Sequence, residues 1–400
     1  MKNILLILPY GGVGGMERLA YSFYNFYKKK GYNVKALKFI KLENDIINFN
    51  DDELYLSKKD FSEMSKISRL SFYLSAPFEL RKIIKKYKIT HSIAFGAMPN
   101  VYSSLTFTSD YKIASIHALK SVELSNNSLL SKMTRFGYKY TYGGLNKVVC
   151  ISNAIKEDLI DKCNFKFKEK LTVIYNPHDV VEINGKAKEP IVDSNEIDLF
   201  TENTVLFLGR LSTQKSPWHL VKAFALVLKE KNDAKLVLIG DGDAGVEKYI
   251  KSEIARLGIE NNIFFLGRKS NPYKYLAKSR VLALASHYEG TPNVIVESIC
   301  VGTPIVSSCC TKGVIELMSL NDVEVTDKSV QVEAGIITPN LYKGTLGIPN
   351  SSAFIKEEYD LAESMLLILE SEDYKDRLLK NKQDLLSKFD LEKVATRYLE

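Results

Sequence analysis

Two carboxylates and a candidate helix start stand close together in SHYEGTPNVIVESICVGTPIVS, residues 286–307. Glu289 falls in a Gly/Pro-containing turn just after an apolar run. Glu297 follows with seven residues between, inside VIVESIC, where Val294, Glu297, Ser298 and Val301 would share one helical face. Thr291 and Pro292 read as the start signal of that helix, because proline is tolerated in a first turn whose N–H groups are still free. Those N–H groups and the positive end of the helix dipole suit a phosphate, which nominates Thr291, Pro292, Asn293 and Val294. Two glutamates at this spacing are most often solvated helix charges. The apolar residues around Glu297 argue for a buried, working carboxylate instead.

A second set lies in Gly209-Arg210-Leu211-Ser212-Thr213-Gln214-Lys215, directly after a predicted strand. Arg and Lys five apart at the carboxyl end of a parallel strand can converge on a diphosphate, the Arg as a planar fork and the Lys as a point charge. Stabilising a departing diphosphate would be their electrostatic contribution to catalysis. Gly11-Gly12-Val13-Gly14-Gly15 also follows a predicted strand and precedes a helix, a place where backbone can approach a phosphate. Its GG-x-GG spacing is not the G-x-G-x-x-G of a dinucleotide site, and no acidic residue ends the second strand to hold a ribose.

The elements that must position these groups alternate short apolar runs with amphipathic stretches, the rhythm of parallel sheets covered by helices. In the first half, 3–8, 33–39, 91–95, 113–116, 148–152 and 171–175 read as strands. Residues 16–30 and 153–162 read as helices, 62–88 as a helix in two pieces broken near Pro77, and 129–143 as a basic, aromatic helix. Residues 180–203 turn polar and acidic, as a linker or a surface segment would. The rhythm then restarts, with strands at 205–208, 234–239, 263–266, 281–285 and 305–307 and helices at 217–229, 246–257, 272–278, 360–369, 374–389 and 391–399. Four hundred residues suit two domains of about 150–200 residues each.

Composition narrows the partners. Residues 1–180 hold 28 Lys and Arg against 16 Asp and Glu, the rest 27 against 32, for a net charge of +7. A basic first half suits an anionic membrane or a phosphorylated acceptor. It carries no nucleic-acid-binding motif, so no nucleic-acid partner is expected. No apolar run approaches ~18 residues, the length of a membrane span, and MKNILLILPYGG reads as a buried strand rather than a signal peptide. Five cysteines without regular spacing suggest reduced thiols in a cytosolic protein. The five histidines form no metal-binding pattern. Asp241-Gly242-Asp243 is only a superficial acidic metal motif, so neither metal nor cofactor is expected.

The pattern E-G-x-P-N-V-x-x-E followed by G-x-P-I-V-S resembles the donor-site signature of retaining glycosyltransferase family 4, enzymes of the GT-B fold. G-R-L-x-x-x-K and Phe265-Leu266-Gly267 resemble the same family's motifs, closely over residues 205–317 and loosely over the whole chain. The resemblance implies an α/β fold of two Rossmann-like domains facing across a cleft. An acceptor-side domain would span 1–178 and a nucleotide-sugar domain 179–385, with 386–400 returning to the first. It implies transfer of a hexosyl or N-acetylhexosaminyl group, with retention, from a nucleoside-diphosphate sugar such as a UDP-sugar. The acceptor would be a saccharide, expected to be lipid-linked and part of a cell-surface polysaccharide. Catalytic residues would be His117, Arg210, Lys215 and Glu289. Glu289 would meet donor-sugar hydroxyls, Glu297 the ribose, Arg268 the nucleobase through its main chain, and Gly14 and Gly15 the donor phosphates. A cytoplasmic enzyme, peripheral on the inner face of the plasma membrane, is the implied location. Lys312 and Val314 depart from a subgroup's pattern, which leaves the donor sugar open. A GT-B nucleotide-sugar 2-epimerase and a non-catalytic sugar-nucleotide-binding subunit are the alternatives.

Overall fold

The computed structural model describes residues 2–11, 15–42, 45, 47–124, 128–200 and 203–400. The chain forms two compact units, 1–177 with 391–400 and 178–390.

In the first unit, strands β1 (Asn3–Leu8), β2 (Asn33–Ile40), β3 (Glu53–Ser57), β4 (His91–Phe95), β5 (Tyr111–Ile116), β6 (Lys147–Cys150) and β7 (Leu171–Val173) form one sheet. Their order is β3-β2-β1-β4-β5-β6-β7 and neighbours run parallel. Sequences such as NILLIL are apolar at every position because both faces are covered. The helices Lys66–Lys86, Ala97–Ser104 and Leu129–Phe136 contribute to the core on one face. Gly15–Lys29 and the returning helix Leu391–Tyr398 cover the other. The chain runs outward from β1 to β3, then jumps back to β4 on the far side of β1. The carboxyl ends of β1 and β4 therefore flank a topological switch point, where open parallel sheets bind ligands.

The second unit repeats the plan with β8 (Thr204–Leu208), β9 (Lys235–Ile239), β10 (Ile263–Gly267), β11 (Val281–Leu284), β12 (Ile305–Ser308), β13 (Val330–Val332) and β14 (Gly335–Thr338). The order is β10-β9-β8-β11-β12-β14-β13, parallel except for the antiparallel edge strand β13. Its switch point lies between β8 and β11, the strands that feed Arg210 and Glu289. The helices Pro217–Glu230, Ala244–Leu257 and Lys356–Glu370 share its core.

Two local readings are corrected. Lys66–Lys86 is one continuous helix with Pro77 inside it. Proline costs a helix interior about 3 kcal/mol, but Phe72 and Ala76 before it and Leu80 and Ile84 after it are all buried on the same sheet. Burying four side chains at about 1.5–3 kcal/mol for each large one exceeds that cost. Residues 180–203 are not a bare linker. Asp179 caps a helix Val180–Ala187 by accepting from the Glu182 N–H at 2.8 Å. Glu196 is docked by Lys269 and by the Tyr275 hydroxyl at 2.6 Å.

The exits of β8, β9 and β10 are zipped together by main chain: Gly209 N–H donates to Ile239 O at 3.0 Å, Leu211 N–H to Asp241 O at 3.0 Å, and Gly240 N–H to Gly267 O at 2.9 Å. Gly240 has φ +141°, and a Cβ there would lie 1.9 Å from Gly209 O. Gly240→Ala is expected to cost the second unit about 3 kcal/mol through strain and displaced backbone. Denaturant unfolding measures it, and a midpoint equal to wild type would contradict this account of the turn.

Candidate active site

The loop leaving β8 carries both cations of the R-x4-K pair. Arg210 is exposed, and its guanidinium has no hydrogen-bond or ion-pair partner among the described residues. Lys215 is held: its ammonium forms an ion pair with Glu289 Oε1, the two side chains being 16% and 9% exposed. That pair bridges the β8–β11 switch point. Glu289 also accepts from Ser286 Oγ at 3.0 Å and from Gln214 Nε2 at 3.4 Å. The two loops are stitched further by His287 N–H to Gln214 O at 2.9 Å, Gln214 Nε2 to Tyr288 O at 3.1 Å, and Ser216 Oγ to Ala285 O at 2.5 Å. Ser216 takes a left-handed conformation, φ 37°, which turns the chain from Lys215 into the helix at Pro217.

Behind this seam lies a buried polar chain. His287 Nε2 is 3.0 Å from His219 Nε2, and His219 Nδ1 is 2.7 Å from Glu358, which also binds Lys222 at 2.8 Å. Burial, then the neighbouring His219, holds the His287 pKa down at about 4, so this imidazole is neutral at physiological pH.

The predicted helix start is present one residue later than the proline suggests. Pro292 occupies the N-cap position and Asn293–Val301 is helical, with no side chain capping the first turn. The Thr291 hydroxyl is buried without a partner in the structure. Uncapped N–H groups beside an orphaned hydroxyl form an anion cradle next to Lys215 in the fold. Glu297 stands one turn further along, half-buried. Gly313 closes the back of this loop, since a Cβ there would lie 2.4 Å from Gly290 O.

Other nominated groups lie elsewhere. Arg268 is two strands away from β8, at the exit of β10, its guanidinium 3.4 Å from Asp241 and exposed. Asp243 caps the helix Ala244–Leu257, accepting from Gly245 N–H at 2.8 Å and Val246 N–H at 3.1 Å. In the first unit, Gly15 opens the helix after β1, while Gly14 lies outside the described residues. A cavity of about 400 Å³ sits at that unit's switch point, lined by Pro9, Tyr10, Met16, Phe39, Phe61 and Leu130 among others. His117 follows β5, with Nε2 2.8 Å from Ser115 Oγ, and burial together with Lys120 holds its pKa at about 3. Its ring is neutral throughout the physiological range.

The roles of Gln214, Ser286 and Ser216 as braces were not anticipated from the motifs. An S-x-x-E at a strand exit was the available signal for Ser286, whereas the Gln214 contact depends on two loops about 75 residues apart.

Two doubly wound α/β units, the second with charged groups gathered at its switch point, define a GT-B glycosyltransferase. Residues 13–182 match the family described as Glycosyltransferase Family 4 and residues 193–334 match Glycosyl transferases group 1. The chain belongs to this glycosyltransferase family. It is 28% identical to the N-acetylgalactosamine-N,N'-diacetylbacillosaminyl-diphospho-undecaprenol 4-alpha-N-acetylgalactosaminyltransferase of Campylobacter jejuni, over 79% of this chain and 83% of that one. A second Campylobacter jejuni protein, GalNAc-alpha-(1->4)-GalNAc-alpha-(1->3)-diNAcBac-PP-undecaprenol alpha-1,4-N-acetyl-D-galactosaminyltransferase, is 26% identical over 100% and 98%. Among solved structures, HepE of Anabaena in complex with UDP aligns with a TM-score of 0.73 at 19% identity, covering 99% of this chain and 98% of that one.

The two cations should separate in mutagenesis. Arg210→Ala is expected to leave thermal unfolding unchanged and to lower turnover roughly 100- to 1000-fold, the scale of a lost electrostatic stabiliser. Lys215→Ala should lower turnover similarly and also destabilise the second unit by roughly 3–5 kcal/mol, because Glu289 is left buried and unpaired. Turnover assays beside thermal melts check both, and near-normal turnover in either variant would remove it from the site.

Proposed function

We propose that the protein transfers a hexosyl or N-acetylhexosaminyl group from a UDP-sugar to a hydroxyl of a lipid-linked saccharide, with retention of anomeric configuration. The observation that carries this reading is the Lys215–Glu289 pair across the β8–β11 switch point, beside an uncapped helix start and the unpartnered Arg210. Arg210, Lys215 and the N–H groups of Asn293 and Val294 hold the diphosphate. Glu289, fixed by Lys215 and Ser286, meets hydroxyls of the donor sugar. Glu297 takes the ribose hydroxyls, the main chain at Arg268 edges the base, and His117 lies beside the transferred sugar. Gly14 and Gly15 are assigned to the donor phosphates by the family resemblance.

The reading assigns no side chain as a nucleophile, and the ion pair and hydrogen bond that Lys215 and Ser286 make to Glu289 support that choice. The proposed step is a front-face exchange. The bond from the anomeric carbon to the phosphate oxygen breaks, the bond to the acceptor oxygen forms on the same face, and the acceptor proton passes to the leaving phosphate. Cations take up the charge that develops on that phosphate, so the reaction needs no metal. The donor and acceptor classes draw support from the relative solved with UDP and from the two Campylobacter transferases named for undecaprenol-linked saccharides.

Incubation with UDP-GlcNAc or UDP-GalNAc and a short prenyl-diphosphate saccharide tests it. UDP release that depends on the acceptor, undiminished by EDTA, with an α-configured product by proton NMR, is expected. A 2-epimerised sugar without acceptor would convert the reading to an epimerase, and binding without turnover to a non-catalytic subunit. An obligatory divalent cation would overturn the metal-free step.

Work on the cytoplasmic leaflet completes the reading. The helix Lys66–Lys86 is apolar on two opposite sides. Phe72, Ala76, Leu80 and Ile84 are buried, while Ile67, Leu70, Leu74 and Phe78 are 58–82% exposed at helical spacing. Leu129, Phe136 and Tyr140 are exposed on the neighbouring part of the same helical layer, among Lys132, Arg135 and Lys139. Cations beside apolar and aromatic side chains suit an anionic lipid interface, each cation worth about 1 kcal/mol there. Among the described residues no helix is long and apolar enough to cross a membrane. Cosedimentation with anionic vesicles, reduced by salt and by Leu74→Ser with Phe78→Ser, is expected; equal recovery with neutral vesicles would remove the membrane from the proposal.

A further inference from the structure

His117 is not an isolated ring. Its Nε2 lies 2.8 Å from Ser115 Oγ, and the same oxygen lies 2.8 Å from the hydroxyl of Tyr398, on the helix that returns at the end of the chain. Ser115 and Tyr398 are both 0% exposed. Ser115 is the one hydrogen-bond partner of the Tyr398 hydroxyl among the described residues. A buried phenol has a single proton to donate, and leaving it without an acceptor costs roughly 1–3 kcal/mol.

That accounting sets a direction. If Tyr398 donates to Ser115 Oγ, the serine proton must go to His117, whose Nε2 is then the acceptor. Every buried donor is satisfied. In the reverse order, Nε2–H would donate to Ser115, the serine to the tyrosine oxygen, and the tyrosine proton would face apolar core near Phe23, whose ring centroid is 4.8 Å away. The geometry points to Ser115, whose proton the Tyr398 hydroxyl directs, as a positioning residue that fixes His117 in the Nδ1–H tautomer and so makes it a hydrogen-bond donor to the substrate.

The inference rests on the reading that His117 lies beside the transferred sugar. It gives that residue a defined sign. An Nδ1–H reads an acceptor oxygen on the sugar or its N-acetyl carbonyl and cannot remove the acceptor's proton, which agrees with a leaving phosphate that does so. Burial of the ring, then the nearby Lys120 ammonium, keeps it neutral, so no second proton disturbs the tautomer. Phe95, with its ring centroid 6.2 Å away, completes the apolar wall.

The test uses the full-length protein labelled with nitrogen-15 in histidine. The His117 resonances, assigned through His117→Gln, should show a protonated Nδ1 and an unprotonated Nε2. Tyr398→Phe keeps the ring packed on Phe23 and should leave the melting temperature within a few degrees and the tautomer as in wild type, because Ser115 then has only His117 Nε2 to donate to. Ser115→Thr should retain the wild-type tautomer and Ser115→Ala should lose it. In Ser115→Ala turnover should fall about tenfold, with the donor KM near its wild-type value. An Nε2–H signal in wild type, or a tautomer unchanged in Ser115→Ala, overturns the proposal. A tautomer that shifts as expected upholds the positioning role even if turnover stays constant, and that constancy counts instead against placing His117 beside the sugar.

Discussion

The second unit depends on one ion pair. Glu289 is buried, and burying a carboxylate is costly unless it is paired and hydrogen-bonded. Lys215 supplies the partner, with Ser286 and Gln214 completing the shell. Because the two members come from the exits of β8 and β11, the pair also fixes the spacing of the switch-point crevice. A phosphate entering beside it meets a lysine already held in place. Ordering that long side chain costs entropy on folding rather than on binding. Arg210 is the complement: exposed and unpartnered, it is free to close on a ligand.

Such a crevice needs main chains closer than ordinary residues permit. Gly240 and Gly242 flank Asp241 because a Cβ at either would strike a carbonyl oxygen of the β8 exit, at 1.9 and 2.2 Å. Gly313 serves the same end for the Gly290 turn. These contacts leave Asp241 and Asp243 to an arginine and a helix cap, which is why an Asp-Gly-Asp triplet stands here on structural grounds.

How much of this was legible follows from how local each signal is. Alternation of apolar runs with amphipathic segments identified most strands, since a strand covered on both faces must be apolar throughout. R-x4-K and E-x7-E could be read because each pair lies in one strand–loop–helix stretch. Pro77 misled because proline's cost is local while the four buried anchors that offset it belong to the sheet. β3, at a sheet edge and only half-buried, was missed for want of a clear pattern, and so was the short helix Ala97–Ser104. The partnership of Lys215 with Glu289 joins residues 74 apart in sequence, and no spacing rule within either motif announces it.

The longest-range of these dependencies sits in the first unit. Val394, Ala395, Tyr398 and Leu399 are buried against β-sheet residues and the helix Gly15–Lys29, with Tyr27 donating its hydroxyl to Ala395 O at 2.8 Å. One face of that core is therefore completed by residues that follow the whole of the second unit in the chain. Loop-closure entropy grows only slowly with the length of intervening chain, so the arrangement costs little stability. It does delay completion of the fold, because contacts of high sequence separation form late. Ser115 gains the Tyr398 hydroxyl as a partner only at that step. A first unit without that helix would keep the strand that leads to His117 while losing the hydroxyl that donates to Ser115, so the sheet and the hydrogen-bond shell of the serine are completed by different parts of the chain.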